Sequence, residues 1–181
     1  MRTRTLAIAA AACGILLGGA SGARAQDADE GPAITARVHG TFVDQRGGAG
    51  VLSGDMFIAR FEIQNGGVVA IGRIEGSLAD SQGGVLGLVG QELVLPVTNV
   101  QSTCNQLRMD LGATDADILE TRVHFDSETA GFDSRAGATP KAMGVLCAAG
   151  ELLRKKPVAA DLAKALEGIA ATLRAQGSAG R

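Results

Sequence analysis

Two cysteines on stretches of different periodicity set the strongest constraint on this chain. Cys104 stands just ahead of a segment in which Leu107, Met109 and Leu111 alternate with Gln106, Arg108 and Asp110, the period of a half-buried strand. Cys147 falls inside the apolar run LCAAGELL, whose spacing is helical. A bond between them would tie a helix over the beginning of a strand. Cys104 shares parity with the polar Gln106 and Arg108, so it belongs in the turn before the regular strand. The docking face of the helix is expected to carry Met143, Leu146, Cys147, Gly150 and Leu153.

The compartment follows from the other end of the chain. Arg2 and Arg4 precede an apolar, small-residue run over Leu6–Ala20, and Ala23-Arg24-Ala25 has the small-x-small form that a signal peptidase reads. Residues 1–25 therefore read as a signal peptide, with cleavage before Gln26. Cys13 offers a lipoprotein alternative, but Ala10 stands where such signals carry Leu and the preceding apolar run is short. No later stretch approaches the ~20 apolar residues that a membrane span requires. Export to the periplasm or the medium leaves Cys104 and Cys147 as the remaining cysteines in an oxidising environment, where a disulfide is the default state.

Composition narrows the partners. The whole sequence has a net charge of −2, and Arg2, Arg4 and Arg24 leave with the leader, so the mature chain is more acidic still. That balance disfavours nucleic acid, whose phosphates need a basic face. Trp and Tyr are absent, which weakens a sugar-binding or broadly adhesive reading.

After an acidic lead-in over 26–32, alternation predicts a strand from Ile34, with Ile34, Ala36, Val38, Gly40 and Phe42 on one face. Phe57, Ala59, Phe61 and Ile63 are expected to form one face of a second strand, ending at Asn65-Gly66-Gly67, the strongest hairpin signal present. The return strand places Val68, Ala70, Gly72, Ile74, Gly76 and Leu78 together, its glycines allowing close backbone approach. Separate strands are expected over Val85–Val89 and Leu93–Val100, with Pro96 at an edge or bulge. Gly112–Asp117 reads as an acidic turn. Leu119, Thr121, Val123 and Phe125 read as the inner face of a mate for the Leu107 strand, and a weak strand signal surrounds Phe132. No internal repeat of useful period is evident. Thr139-Pro140 then begins a helix, and Leu162, Leu166, Ile169 and Leu173 stripe a second.

These elements predict an α+β protein: a curved antiparallel β-sheet or partly closed barrel of six to eight strands, followed by two C-terminal helices. Sequential hairpins favour neighbour-to-neighbour pairing. The single secreted domain spans 33–175, β-rich over 33–136 and a helical hairpin over 139–175, with a flexible tail at 176–181.

Chemistry-bearing constellations are sparse. His39 and His124 are the only histidines. His124 with Asp126 on one face is the basis for a hydrolase or metal-dependent reading, the weakest of three. Asp115, Asp117 and Glu120 lack the spacing of a calcium loop. No serine has a nucleophile-elbow setting, and no glycine run has the lysine of a phosphate loop. The expectation is a non-catalytic protein without metal or cofactor, an interaction or structural module meeting an unidentified protein or surface partner. The alternative is a carrier of an apolar small molecule, bound within the curved sheet by Phe57, Phe61, Ile74, Leu107 and Met109.

Over roughly residues 55–155 the chain also resembles a group of small uncharacterised secreted bacterial proteins. The likeness is carried by CNQLRMDLG at Cys104–Gly112, VLCAA at Val145–Ala149, the hairpin Ile63–Ile74 and LVLPV at Leu93–Val97. It implies a shared fold with a Cys–Cys bridge and brings no activity. Thr114–Asp117 and Ser127–Arg135 are polar where that group is Leu-rich.

Overall fold

The computed structural model describes residues 34–133 and 139–179, the side chains of 176–179 excepted. The expected signal peptide and lead-in lie outside the described residues. Eight antiparallel strands run β1 Ile34–Val43, β2 Ala49–Gln64, β3 Gly67–Ala79, β4 Val85–Ser102, β5 Gln106–Leu111, β6 Thr114–Ile118, β7 Thr121–Phe125 and β8 Glu128–Asp133. Two helices follow, α1 Pro140–Arg154 and α2 Ala159–Ala179. The class is α+β, as the alternation patterns predict.

Strands β1 to β5 pair in chain order, and β8 then inserts between β5 and β1. β8 pairs with β5 from Gln106↔Asp133 to Leu111↔Glu128, and with β1 at Thr35↔Gly131 and Ala36↔Ala130. Those pairings close six strands into a ring. Farther along β1, Gly40 and Thr41 pair with Phe125 and His124, so the β6–β7 hairpin extends the sheet beside the ring.

Inside the ring lies one core of side chains that includes Ile34, Val38, Leu52, Met56, Ile74, Leu78, Leu93, Leu95, Leu107, Met109, Val123 and Phe125. Gly72 and Gly76 permit its tight curvature. A Cβ on Gly72 would lie 2.2 Å from the Phe57 carbonyl oxygen, and one on Gly76 would lie 2.3 Å from that of Ser53.

The ring has two unlike ends. One carries the Asn65-Gly66 turn and the turn through Cys104; the other carries the turns at 44–48, 80–84 and 119–120. The helices cover the first end, and Leu146, Leu166, Ile169 and Leu173 join the same core. β1 begins opposite Ile58, and no strand of the described residues lies beside the rest of β2 on that edge. Side chains of α2 cap it instead: Phe61 N–H donates to Glu167 Oε2 at 2.9 Å, and Arg174 Nη1 donates to the Ala59 carbonyl at 2.6 Å. Arg174 also bridges to Glu167, so the two caps hold each other.

Several expectations need correction. A β-bulge between Ile58 and Arg60 switches parity within β2, so Met56, Ile58 and Phe61 are buried while Phe57 and Ile63 are exposed. β4 is one continuous strand, with its register shift between Val97 and Asn99. The acidic stretch at 114–118 is strand β6, because Thr114, Ala116 and Ile118 alternate inward against Asp115 and Asp117. Leu119 belongs to a turn and is half exposed, and β7 pairs with β1 and β6 instead of the Leu107 strand. On α1 the buried face is Ala142, Leu146 and Ala149, with Met143 exposed.

A repeat is also present. RVHGTFVDQRGG at Arg37–Gly48 and RIEGSLADSQGG at Arg73–Gly84 align at a 36-residue offset, the separation between the bonded pair Arg46 and Gln82. Each copy is a strand entering the same D-x-x-G-G turn. Asp44 N donates to Gly48 O and Asp80 N to Gly84 O, both at 2.8 Å, and the glycines at 47 and 83 have φ of 78° and 83°. The copies are obscured in sequence because Phe42 matches Leu78 and His39 matches Glu75, shared in polarity more than identity.

Replacing Gly72 by Ala drives a methyl group into the Phe57 backbone, which cannot retreat without breaking the β2–β3 ladder. Gly72→Ala should lower stability by about 2–4 kcal/mol, measured by urea unfolding. Gly67→Ala, where the nearest atom to a new Cβ is 3.8 Å away, is the matched control.

Candidate functional site

At the helical end, Cys104 and Cys147 form a disulfide across a separation of 43 residues. Cys104 stands in the turn before β5, the position its parity requires. Around it, Ser102 Oγ donates to the Leu146 carbonyl at 2.9 Å, and a Cβ on Gly150 would stand 2.8 Å from the Ser102 carbonyl oxygen. Bridge, hydrogen bond and close approach fasten α1 to the end of β4.

The opposite end is built from turns. Asp44 is its hub: one carboxylate oxygen accepts from the backbone N–H groups of Arg46 and Gly48, and the other from Ser81 N–H and Oγ. The Ser81 hydroxyl is the largest cause that holds the Asp44 carboxyl well below the usual carboxylate range, followed by the backbone N–H groups of Ser81 and Gly48. Arg46 Nη1 donates to Gln82 Oε1, completing a clasp between the two repeated turns. Beside it, a small cleft of about 210 Å³ lies between Val43, Asp44, Arg46, Asp80, Leu86 and Thr121.

The outer face of β1, β7 and β6 adds a polar row. Thr41 is opposite His124, and His124 is opposite Asp115. His124 Nδ1 lies 2.7 Å from Asp115 Oδ1, and this bond is the main cause that lowers the Asp115 pKa. Arg122 approaches Asp115 and Asp117, each at 3.6 Å. An open cleft of about 690 Å³ runs over Thr41, Val43, Glu120, Arg122 and His124. His39 is engaged elsewhere, 2.7 Å from Glu128. Chemically the row offers an exposed, carboxylate-held imidazole. Among the described residues, no serine, threonine or cysteine side chain is hydrogen-bonded to either imidazole, and no group of three His, Cys, Asp or Glu side chains stands in a metal-holding arrangement.

Large apolar side chains stand exposed at this end: Val43, Val85, Leu86, Leu88 and Leu119. Leu88 is 80% exposed. Leu119 leans over Gly87, where its Cδ1 would meet an added Cβ at 2.8 Å. Individually such exposed residues are ordinary. In sequence Leu86 and Leu88 show only as part of the strand expected over Val85–Val89.

The residues weighed for an apolar ligand separate. Phe61, Ile74, Leu107 and Met109 are buried together in the core, whereas Phe57 is on the outer face. None of them lines the two clefts at the turn end or the groove between the helices over Val145, Ala148, Leu152 and Gly168. His124 and Asp126, weighed together for the hydrolase or metal reading, share no hydrogen bond or ion pair among the described residues; the carboxylate on His124 is Asp115.

Searches against protein-family models, curated proteins and solved structures return no match to this chain.

Two measurements test these ends. Loss of the bridge in Cys147→Ser should cost about 4 kcal/mol by the chain-entropy estimate, seen as a lower melting temperature that reduction of the wild type reproduces. At the turns, a carboxylate whose folded pKa is depressed contributes stability above its unfolded pKa and loses it as pH falls through the folded value. Urea midpoints should therefore decline below about pH 4 more steeply in the wild type than in Asp44→Asn.

Proposed function

We propose that the protein is an exported, non-catalytic interaction module, released to the periplasm or the medium by cleavage near Ala25, which meets a partner through its turn end. The observation that carries this reading is the grouping of Val43, Val85, Leu86, Leu88 and Leu119 in solvent, on the end that the helices leave uncovered. Burying such residues against a partner recovers roughly 25 cal/mol per Å² of apolar surface.

The construction of the rest supports it. The Cys104–Cys147 bridge suits an oxidising compartment and stiffens the end away from the proposed contact. The Asp44 clasp holds the repeated turns against each other, so the contact surface is ordered before binding, which reduces the entropy lost on association. Packing of Phe61, Ile74, Leu107 and Met109 in one core favours a filled interior over a carrier's pocket.

Native mass spectrometry of the protein recovered from its own compartment is the test. Wild type should carry a partner protein that Leu88→Asp fails to retain, with the melting temperature unchanged because Leu88 supports nothing internal. A retained apolar small molecule, or a bare monomer in both samples, would sink the reading.

A further inference from the structure

Two turns of this chain have the same backbone and opposite chemistry. The β2–β3 turn is Asn65-Gly66, with φ of 52° and 79°; the β6–β7 turn is Leu119-Glu120, with φ of 47° and 65°. Both are two-residue loops between directly paired residues, Gln64↔Gly67 and Ile118↔Thr121. Such a loop needs positive φ at both positions, which Asn and Gly adopt at little cost and which Leu and Glu resist. The folding-optimal pair is present at the helical end and missing at the turn end.

Internal contacts do not account for the exception. Glu120 is exposed and makes no hydrogen bond or ion pair with a described residue, and Leu119 is half exposed. Leu119 meets β4 at Gly87, on the face of Leu78, and Leu86 lines one cleft with Val43 and Thr121, the residue that follows the turn. Backbone strain carried by side chains that do little for the fold is a mark of recognition.

Charge selects the occupant. Around this tip the carboxylates of Asp44, Asp80, Asp115, Asp117 and Glu120 outnumber the guanidiniums of Arg46 and Arg122. A second copy would bring the same acidic rim against itself, and an anionic bilayer would be repelled as well. An apolar segment flanked by basic residues fits both the leucines and the rim.

Building on the interaction-module reading, we infer that Leu119 and Glu120 form the recognition tip for a partner protein segment whose apolar side chains are flanked by Lys or Arg. Leu119 enters the partner's apolar contact together with Leu86, and Glu120 faces its cations.

The test titrates three proteins, wild type, Leu119→Asn/Glu120→Gly and Leu88→Asp, with a synthetic peptide of alternating leucine and phenylalanine carrying two lysines at each end. Amide chemical shifts report the binding, and a glutamate-flanked peptide and phosphatidylglycerol vesicles serve as comparisons. The lysine-flanked peptide should perturb residues 85–88 and 117–121 of the wild type and bind the double variant at least tenfold more weakly. The double variant should also melt about 4 °C higher, since its turn now has its preferred residues. The glutamate-flanked peptide and the vesicles should not bind. Full affinity in the double variant with loss in Leu88→Asp would overturn the tip assignment and leave the docking reading standing. Affinity unchanged in both variants would overturn both. Vesicle binding, or self-association of the wild type through the same residues, would overturn the choice of partner, and a lower melting temperature in the double variant would overturn the strain argument.

Discussion

Everything in this molecule depends on β1 having hydrogen-bonding partners along both edges. β2 occupies one edge over the whole of β1, while β8 and then β7 share the other. Without β8 the sheet would end in two open edges, and its apolar face would lack the enclosure that keeps Val38, Leu52 and Met109 fully buried. Ring closure encloses that face and pairs most of the strand edges. Among the described residues β6 keeps an outer edge and β4 before Val97 has no β5 partner, whereas at β2 past Ile58 Glu167 and Arg174 of α2 bond the backbone. The helices therefore add to the sheet's hydrogen bonding as well as to its core.

From this follows a division of labour between the ends. The helical end combines the disulfide, the Ser102–Leu146 bond, the Glu167–Arg174 clamp and a turn made of Asn65-Gly66, each of which suits stability. The turn end is ordered too, through Asp44, but by exposed polar bonds among exposed apolar side chains. Exposed ion pairs and hydrogen bonds contribute little to stability, with a median near 0–1 kcal/mol for surface pairs. At this end they hold the turns at 44–48 and 80–84 against each other.

The outer face repeats one device around the ring. Arg60 with Glu62, and Arg73 with Glu75, are pairs two residues apart on one strand, and Arg60 also reaches Glu92 across β3. An Arg, an inward apolar residue and an acid or His recur at 37–39, 60–62, 73–75, 108–110 and 122–124. This pattern keeps the outside of a strongly curved sheet wet while every second residue fills the core.

Local physics alone determined much of this protein. The period-two alternation of β1, β3 and β5, the Asn65-Gly66 signal, the Thr139-Pro140 helix start, the stripe of α2 and the position of Cys104 follow from interactions within a few residues, and each stands in the structure where the sequence places it. The ladder order was beyond that reach. Whether β8 inserts between β5 and β1, whether β7 pairs with β1, and which faces a bulge at Ile58 exchanges depend on contacts between residues far apart in the chain, whose free energy has no local signature. The same holds for the turn end. Leu119 reads as an inner-face residue in sequence, and Leu86 and Leu88 read only as part of a strand, since only the assembled ring decides which apolar side chains are enclosed and which are left in water.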